Sequence, residues 1–255
     1  MKRLIFSIIF INMFHMAEAQ VEIIAHRGAS YLAPENTVAA SRLAWELGSD
    51  AVECDIYLSK DNKIMSIHDA NTLRTTGRDY TVKDTDSDIL RTLDAGAFKG
   101  KEFTGEKIPF LEEIIQVVPE GKELVVELKC GPEVLPYLKK VIKKHGKNKR
   151  FVFIAFNLNT ITETKKAFPR NPCYWLCSNK DLLEQNFPEV KKAGLEGVSL
   201  MYRIIDNDVM NIASDLGLEV FTWTVNDTAE AKRLISLGVK GITTDRPGWL
   251  RDQIE

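Results

Sequence analysis

The hydrophobic residues of this chain fall into short runs that alternate with segments of helical spacing almost to the C-terminus. Runs such as "LVVEL" and "FVFIAF" are nearly continuously apolar, which is typical of strands covered on both faces. The segments between them, such as "ENTVAASRLAWELG" and "DVMNIASDLG", have apolar residues at helical spacing and end at glycine. The runs predict eight strands: Val21–Ala25, Ala51–Asp55, Leu124–Lys129, Phe151–Phe156, Cys173–Cys177, Gly197–Met201, Val220–Val225 and Gly241–Thr244. Eight strands in about 235 residues favour a closed (β/α)8 barrel, with an open doubly wound sheet as the alternative.

One segment interrupts this alternation, directly after the second predicted strand. The chain continues as "IYLSKDNKIMSIHD", and its turn at Lys60–Lys63 is too short for a parallel crossover. Lys63–His68 is therefore predicted to fold back as an antiparallel hairpin arm at the rim of the barrel. Residues 69–108 show no regular period, and a loop this long is usually functional or a small subdomain. We expect a small insertion at about 69–108 within a single domain that spans residues 20–255.

The first nineteen residues have the pattern of a secretory signal peptide. Lys2 and Arg3 precede an apolar run from Leu4 to Phe14, and Ala17–Ala19 supplies the small residues of a cleavage site. The alternatives are a buried N-terminal helix or an uncleaved anchor. The signal peptide predicts an exported protein, periplasmic or secreted. Because no later run approaches membrane length, we expect no stable membrane insertion.

The charge balance of the mature chain argues against some classes of partner. The chain has 34 basic and 36 acidic residues, and removal of Lys2, Arg3 and Glu18 leaves 32 and 35, a net charge of −3. That balance does not favour nucleic acid or an anionic membrane as an obligatory partner. The one basic stretch, "KKVIKKHGKNKR", is interpreted as a solvated helix end.

Four cysteines would be exposed to an oxidising compartment after export. Cys173 and Cys177 lie in one predicted strand, where their Cα atoms would be about 13 Å apart. If Glu53 and Glu127 lie at the same height, Cys54 and Cys130 would be about 8 Å apart, beyond the reach of a disulfide. We expect neither pair to be bridged.

Three acidic residues lie near the ends of the second and third predicted strands. Alternation puts Glu53 and Asp55 on one face and Cys54 on the other, and Glu127 occupies an inward position of the next strand. The carboxyl ends of barrel strands converge on one site, so the three carboxylates would repel one another. A hard divalent cation with oxygen ligands relieves such repulsion, and no Cys-His spacing suggests zinc.

Basic and imidazole side chains are predicted at the same end of the barrel. His26 and Arg27 end the first strand, Lys129 ends the third, and His68 ends the hairpin arm. The two cations suit an anionic substrate, above all phosphate, and the two histidines can act as general base and general acid. Trp223 is interpreted as a core residue or a wall of the substrate pocket. So many inward charges would be very costly without a ligand to neutralise them.

Eight stretches, in order along the mature chain, resemble the glycerophosphodiester phosphodiesterase family. They are "AHRGASYLAPENT", "ECDIYLSKDNKIMSIHD", "RTTG", "LDAG", "GEKIPFLEEII", "VVELK", "WTVN" and "GITTDRP". The resemblance implies a TIM barrel with a small insertion after the second strand. It also implies metal-dependent hydrolysis of glycerophosphodiesters to glycerol 3-phosphate and an alcohol, in which the substrate's own glycerol hydroxyl attacks phosphorus and water then opens the cyclic phosphate.

The resemblance further implies a role for each candidate residue. Ca²⁺ or Mg²⁺ would be bound by Glu53, Asp55 and Glu127, while Arg27 and Lys129 would hold the phosphate beside Trp223. The catalytic pair would be His26 and His68. We expect His68, on the rim, to protonate the departing alcohol and His26 to act as the base. Either Glu35 or Asn36 would brace His26.

Departures from the family pattern concern the pocket wall and the rim. Ala155 stands where the family often has serine, "KDNK" lacks the usual Asp-Gly turn, and the leucine of "HDANTLRTT" comes one position late. Two alternatives are a phospholipase acting on intact lipids and a barrel that binds phosphate esters without turnover. The polar stretch "RTTGRDYTVKDTDSD" argues against the first. The two histidines and three carboxylates argue against the second.

Overall fold

The computed structural model describes residues 21–254, and this range folds as a closed barrel surrounded by helices. Its strands are β1 (Glu22–Ala25), β2 (Ala51–Leu58), β3 (Ile64–Ser66), β4 (Glu123–Leu128), β5 (Arg150–Ala155), β6 (Cys173–Cys177), β7 (Gly197–Met201), β8 (Glu219–Trp223) and β9 (Gly241–Thr244). All but β3 are parallel and follow one another around the barrel in chain order. Because β1 pairs with both β9 and β2, the sheet closes. The predicted (β/α)8 TIM barrel is confirmed, and the open-sheet alternative is wrong.

Helices follow the strands along the chain, and most of them pack around the outside of the barrel. They are α1 (Val38–Glu46), α2 (Leu73–Thr76), α3 (Ser87–Leu90), α4 (Leu111–Val117), α5 (Leu135–His145), α6 (Leu158–Ala167), α7 (Lys180–Lys192), α8 (Asn207–Asp215), α9 (Thr228–Leu237) and α10 (Pro247–Ile254). Five of them begin at a polar residue whose side chain accepts a hydrogen bond from the backbone N–H three residues on. These N-cap residues are Thr37, Asn157, Asn179, Asp206 and Asp227.

Strand alternation divides the apolar residues between two cores. The larger core lies between the strands and the helices, and it includes Cys54 of β2. The smaller core fills the barrel and includes Ile24, Val125 and Phe221. Side chains alternate along a strand, so every second residue faces the interior of the barrel. Inward-facing residues beyond this inner apolar layer lie near the carboxyl ends of the strands. The charged residues of β2 and β4 occupy these positions.

The hairpin arm and the insertion form a structure of their own beside β2. β3 pairs antiparallel with the end of β2, as predicted. The following segment contains α2, α3 and two short 3₁₀ turns, and such short helices explain why the sequence shows no regular period. These elements enclose a separate apolar cluster made of Met65, Ile67, Val82, Leu90, Leu93, Ala95 and Ile108.

The register between β2 and β4 differs from the sequence expectation. β2 extends to Leu58, and Asp55 pairs with Glu127, while Glu53 pairs with Val125. The expected equal height of Glu53 and Glu127 is therefore wrong by two residues. Two-residue steps preserve the facing of a side chain, so all three carboxylates still point into the barrel.

The predicted signal peptide, residues 1–19, lies outside the described residues. Within residues 21–254, no helix has the length and apolar character needed to span a membrane.

All four cysteines are free, in agreement with the expectation. Burial raises the pKa of the Cys54 thiol well above its usual range and raises the pKa of Cys130 and Cys173 to about 12.

The folded protein should therefore react slowly with iodoacetamide at pH 8, because the thiolate is the reactive form. After denaturation without reductant, mass spectrometry should find four alkylated cysteines. Incorporation of only two labels would show a disulfide and contradict the strand arrangement.

Candidate active site

The sequence-predicted site residues meet at the carboxyl ends of the barrel strands. A cavity of about 150 Å³ is lined by His26, Arg27, Glu53, His68, Glu127, Lys129 and Trp223, together with Ile154, Phe156, Leu176, Ser199, Thr224 and Thr243. Asp55, which is 1% exposed, lies beneath this lining and contacts Arg27 and Lys129. The structure thus brings together all eight residues selected from the sequence.

Three buried carboxylates form the floor of the cavity. One oxygen from each of Glu53, Asp55 and Glu127 lies within 4.8 Å of the others. Glu53 Oε1 and Asp55 Oδ1 are buried and have no hydrogen-bond partner. Buried carboxylate oxygens without partners are costly, and a hard divalent cation supplies what they lack. The donor set therefore fits a divalent cation.

The electrostatics of the floor reflect burial and mutual repulsion. Burial and the neighbouring charges of Asp55 and Glu127 raise the pKa of Glu53 well above its usual range. Burial and Asp55 raise the pKa of Glu127 to about 7. Lys129 opposes these effects, since its Nζ lies 2.9 Å from Glu127 Oε1 and 3.7 Å from Asp55 Oδ1. A bound cation would act in the same direction, because it stabilises the ionised carboxylates.

The loop after β1 places Arg27 over the carboxylates. Arg27 has a positive φ of 55°, and its backbone N–H donates to Glu53 Oε2 at 2.8 Å. Its guanidinium donates to Glu35 Oε1 at 2.9 Å and lies 3.3 Å from Asp55 Oδ2. The next residue must be glycine: Gly28 has a φ of 81°, and an added Cβ would lie 2.6 Å from the Ala40 carbonyl carbon. This explains the "HRG" sequence at the end of the first strand.

The expectation that Glu35 or Asn36 braces His26 is wrong. Glu35 instead binds Arg27, and Asn36 binds Asp55 through two hydrogen bonds. Asn36 Nδ2 donates to Asp55 Oδ2 at 2.8 Å, and Asn36 Oδ1 accepts from the Asp55 backbone N–H at 2.9 Å. Asn36 therefore orients a carboxylate of the floor.

His26 is held by Asp245, a residue that sequence reasoning missed. His26 Nδ1 lies 2.7 Å from Asp245 Oδ1, which also accepts from Ser30 Oγ at 2.9 Å. Burial alone would raise the pKa of Asp245, but hydrogen bonds from His26, Asn226 and Ser30 lower it to about 2. The signal was present in the sequence, since "TTDRP" places a carboxylate just after the eighth barrel strand.

His68 is held in a defined tautomer by two charged neighbours. Its Nδ1 lies 2.7 Å from Asp69 Oδ1, and its Nε2 lies 3.2 Å from Lys129 Nζ. Burial lowers the pKa of Lys129, but Glu127 and Asp55 outweigh that effect and raise it, so the ammonium stays charged and can only donate. His68 Nε2 must accept this hydrogen bond, so the proton sits on Nδ1 and points to Asp69. Burial lowers the pKa of His68, which favours the same neutral form.

Arg74 of the insertion links the two sides of the site. Its Nε donates to Asp69 Oδ2 at 2.7 Å, and its two terminal nitrogens donate to Glu35 at 2.7 and 2.9 Å. Asp69 orients His68, and Glu35 holds Arg27, so one guanidinium fixes both partners. The hydrogen bond from Arg74 is the main reason that the pKa of Asp69 falls to about 2.

Aromatic residues form part of the cavity wall. Trp223 Nε1 donates to the Ser199 carbonyl at 3.1 Å, and its ring packs edge-on against Phe156 at 5.4 Å between centroids. Phe156 lines the cavity, whereas Ala155 is fully buried in the outer core. The missing hydroxyl at position 155 therefore does not alter the cavity wall.

Comparison with known proteins places this geometry in a family. The family model described as the glycerophosphoryl diester phosphodiesterase family matches residues 26–249, which is most of the chain. The chain belongs to the glycerophosphoryl diester phosphodiesterase family. A glycerophosphodiester phosphodiesterase of Caldanaerobacter subterraneus subsp. tengcongensis is 35% identical over 235 residues, covering 89% of this chain and 95% of the relative.

A solved structure supports the same assignment. The Oleispira antarctica phosphodiesterase in complex with the product sn-glycerol-3-phosphate is 30% identical, with a TM-score of 0.86. The match covers 91% of this chain and 96% of that chain. The family and the enzyme class expected from the motifs, a phosphoric diester hydrolase, are thereby confirmed.

Replacing Arg74 with Gln should lower kcat for phosphodiester hydrolysis by about 10- to 100-fold, because Asp69 and Glu35 would lose their shared partner. Arg74→Lys should recover only part of this loss, since a lysine cannot donate to both carboxylates as a planar fork. Steady-state kinetics of both variants check the prediction.

Arg78→Gln is the matched control, because Arg78 is exposed four residues along the same insertion. It should behave like the unmodified protein. A positioning role would be contradicted if Arg74→Gln lowered thermal stability enough to account for its loss of kcat. Full recovery of kcat in Arg74→Lys would also contradict it.

Proposed function

We propose that this protein hydrolyses glycerophosphodiesters to glycerol 3-phosphate and an alcohol, using a divalent cation and two histidines. The observation that carries the proposal is the buried carboxylate floor, in which two oxygens lack a hydrogen bond, together with Arg27 and Lys129 in the same cavity. Membership of the phosphodiesterase family supports the reaction type. The signal-peptide pattern of residues 1–19 supports action outside the cytoplasm, either in a periplasm or after secretion.

The cation would be held by Glu53, Asp55 and Glu127. These carboxylates are hard oxygen ligands, and such a set suits Ca²⁺ or Mg²⁺. When bound, the cation supplies positive charge that stabilises the negative charge developing on the phosphate oxygens. Asn36 and Arg27 hold Asp55 and Glu53 in place, so two of the three carboxylates are oriented by hydrogen bonds.

Arg27 and Lys129 are the proposed phosphate-binding residues. Arg27 presents a planar guanidinium, and Lys129 presents an ammonium, to the same cavity. Trp223 and Phe156 form the apolar wall against which the carbon atoms of the glycerol can pack. The substrate would be positioned between a charged and an apolar wall.

We assign His68 as the general base and His26 as the general acid, the reverse of the assignment expected from the sequence. His68 Nε2 carries a lone pair, because Lys129 donates to it and Asp69 accepts from Nδ1. Once Lys129 turns to the phosphate, this lone pair can accept the proton of the glycerol 2-hydroxyl as its oxygen attacks phosphorus. His26, paired with the Asp245 carboxylate, gives its proton to the departing alcohol.

The second half of the reaction exchanges these roles. Attack by the 2-hydroxyl breaks the bond from phosphorus to the leaving alcohol and forms a cyclic phosphate. His26, now unprotonated, accepts a proton from water as it opens the ring, and His68 returns its proton to the glycerol oxygen. Both histidines regain their starting state, so no further proton donor is needed. The carboxylate partners of both histidines argue against a barrel that only binds phosphate esters.

Release of glycerol 3-phosphate from glycerophosphocholine should require Ca²⁺ or Mg²⁺ and should be lost in excess EDTA. Glu127→Gln, Glu53→Gln and Asp55→Asn should each abolish the metal-supported activity, because each removes an oxygen ligand. Calorimetric titration with Ca²⁺ should show weaker binding for each variant. Full turnover by the metal-stripped protein in EDTA would refute the cation-dependent reaction.

The two histidines should respond differently to the leaving group. His26→Ala should lose about 10²–10⁴-fold on the choline ester but much less on a p-nitrophenyl diester, since nitrophenolate departs without an acid. His68→Ala should be equally impaired on both substrates, because the attacking hydroxyl still needs a base. Steady-state rates of the four combinations check this. Selective rescue of His68→Ala would reverse the assignment, and near-full activity of either variant would refute the two-histidine reaction.

A further inference from the structure

A second cavity opens beside the first, on the side of His26. Its volume is about 300 Å³, and it is lined by His26, Arg27, Ser30, Tyr31, Glu35, Lys99 and Asp245. His26 and Arg27 line both cavities, and the other residues of the two linings differ. We name the two the inner cavity, which contains the carboxylates, and the outer cavity. A phosphate bound by Arg27 at their junction would extend one ester group into each.

The proposed histidine roles decide which ester group occupies which cavity, so this step rests on the proposed function. His68, the base for the glycerol hydroxyl, lines the inner cavity and does not line the outer one. The glycerol therefore lies in the inner cavity, beside Trp223. His26, the acid for the leaving alcohol, faces both cavities. The head group that leaves therefore occupies the outer cavity.

The carboxylates of the outer cavity are already engaged. Glu35 is bound by Arg27 and by Arg74 through hydrogen bonds of 2.7 to 2.9 Å. Asp245 accepts from His26 at 2.7 Å. A cationic head group such as choline would have to compete with these contacts. The outer cavity therefore offers little attraction for a positive charge.

Two cations beside Tyr31 have the opposite character. Lys99 Nζ donates to the Ser30 carbonyl at 2.6 Å and lies 5.9 Å from the centroid of the Tyr31 ring. The Arg246 guanidinium carbon lies 3.7 Å from the same centroid. Within residues 21–254, neither side chain forms an ion pair with a carboxylate, although Asp245, which precedes Arg246 in the sequence, also lines the outer cavity. Tyr31 is 53% exposed, but two positive charges within 6 Å of its ring oppose the approach of a quaternary ammonium group.

We propose that the outer cavity is a head-group subsite that selects diesters whose leaving alcohol bears an anionic group, a phosphate or a carboxylate. Lys99, which lines the cavity, and Arg246, which packs on the lining residue Tyr31, supply the positive charge. The attraction is between partly exposed charges, so it should weaken as ionic strength rises. The selectivity acts on the leaving group alone, since the inner cavity receives the same glycerol phosphate from every substrate.

A matched pair of substrates tests the subsite: glycerophosphoinositol and its inositol 4-phosphate derivative, with glycerophosphocholine as the cationic comparison. The unmodified protein should show at least roughly fivefold higher kcat/KM for the phosphorylated ester at low salt. Lys99→Gln and Arg246→Gln should each remove most of this preference and affect the choline ester far less. Lys101→Gln is the control, because Lys101 is exposed two residues from Lys99 and does not line the cavity.

The possible outcomes separate this proposal from the reaction itself. Equal kcat/KM for the phosphorylated and unphosphorylated esters would overturn the anionic subsite while leaving hydrolysis intact. A parallel loss on all three esters in the Lys99 and Arg246 variants would show that the outer cavity binds the common glycerol phosphate, which also overturns it. Turnover of none of the three esters would refute the proposed function, and the subsite with it.

Discussion

Repulsion among three buried carboxylates is the constraint on which the rest of the site depends. Glu53, Asp55 and Glu127 are brought within 4.8 Å by the pairing of neighbouring strands, and the closed sheet leaves them no room to separate. Arg27 and Lys129 supply the only cations in direct ion-pair contact with them among residues 21–254. Two oxygens remain without a hydrogen bond, so the arrangement fits a divalent cation.

Each histidine of the site is held in position by a neighbouring carboxylate. Asp245 holds His26, and Asp69 holds His68, so two carboxylates keep the imidazole rings in position. Lys129 connects the carboxylate floor to His68 and thereby fixes its tautomer. Arg74 of the insertion connects His68 to Arg27, because it binds both Asp69 and Glu35. The insertion is therefore part of the site, although barrel strands supply the three carboxylates of the floor.

Local sequence determined the barrel, the hairpin arm and the identities of the central residues. Strand alternation is a local property, so the inward facing of Glu53 and Asp55 follows from their spacing alone. The same rule placed Cys54 in the outer core, where it is found. The apolar runs and the helical segments between them allowed eight strands to be predicted, because strands and helices both bury apolar residues in a shared core. Charged residues at inward positions then indicated that the carboxyl ends of the strands form a functional site.

The tertiary structure decided which of these residues contact one another. The register of β2 on β4 pairs Asp55 with Glu127, and alternation is unchanged by a shift of two residues, so sequence spacing could not distinguish this register from the expected one. Asp245 reaches His26 across 219 positions of sequence because the last barrel strand closes onto the first. Lys129 and His68 meet because the hairpin arm pairs with the end of β2, the strand next to β4, and this contact sets the proton position on the imidazole. The sequence determined which side chains face inward, because facing is local; only ring closure and strand register determined their partners, because those depend on the whole sheet.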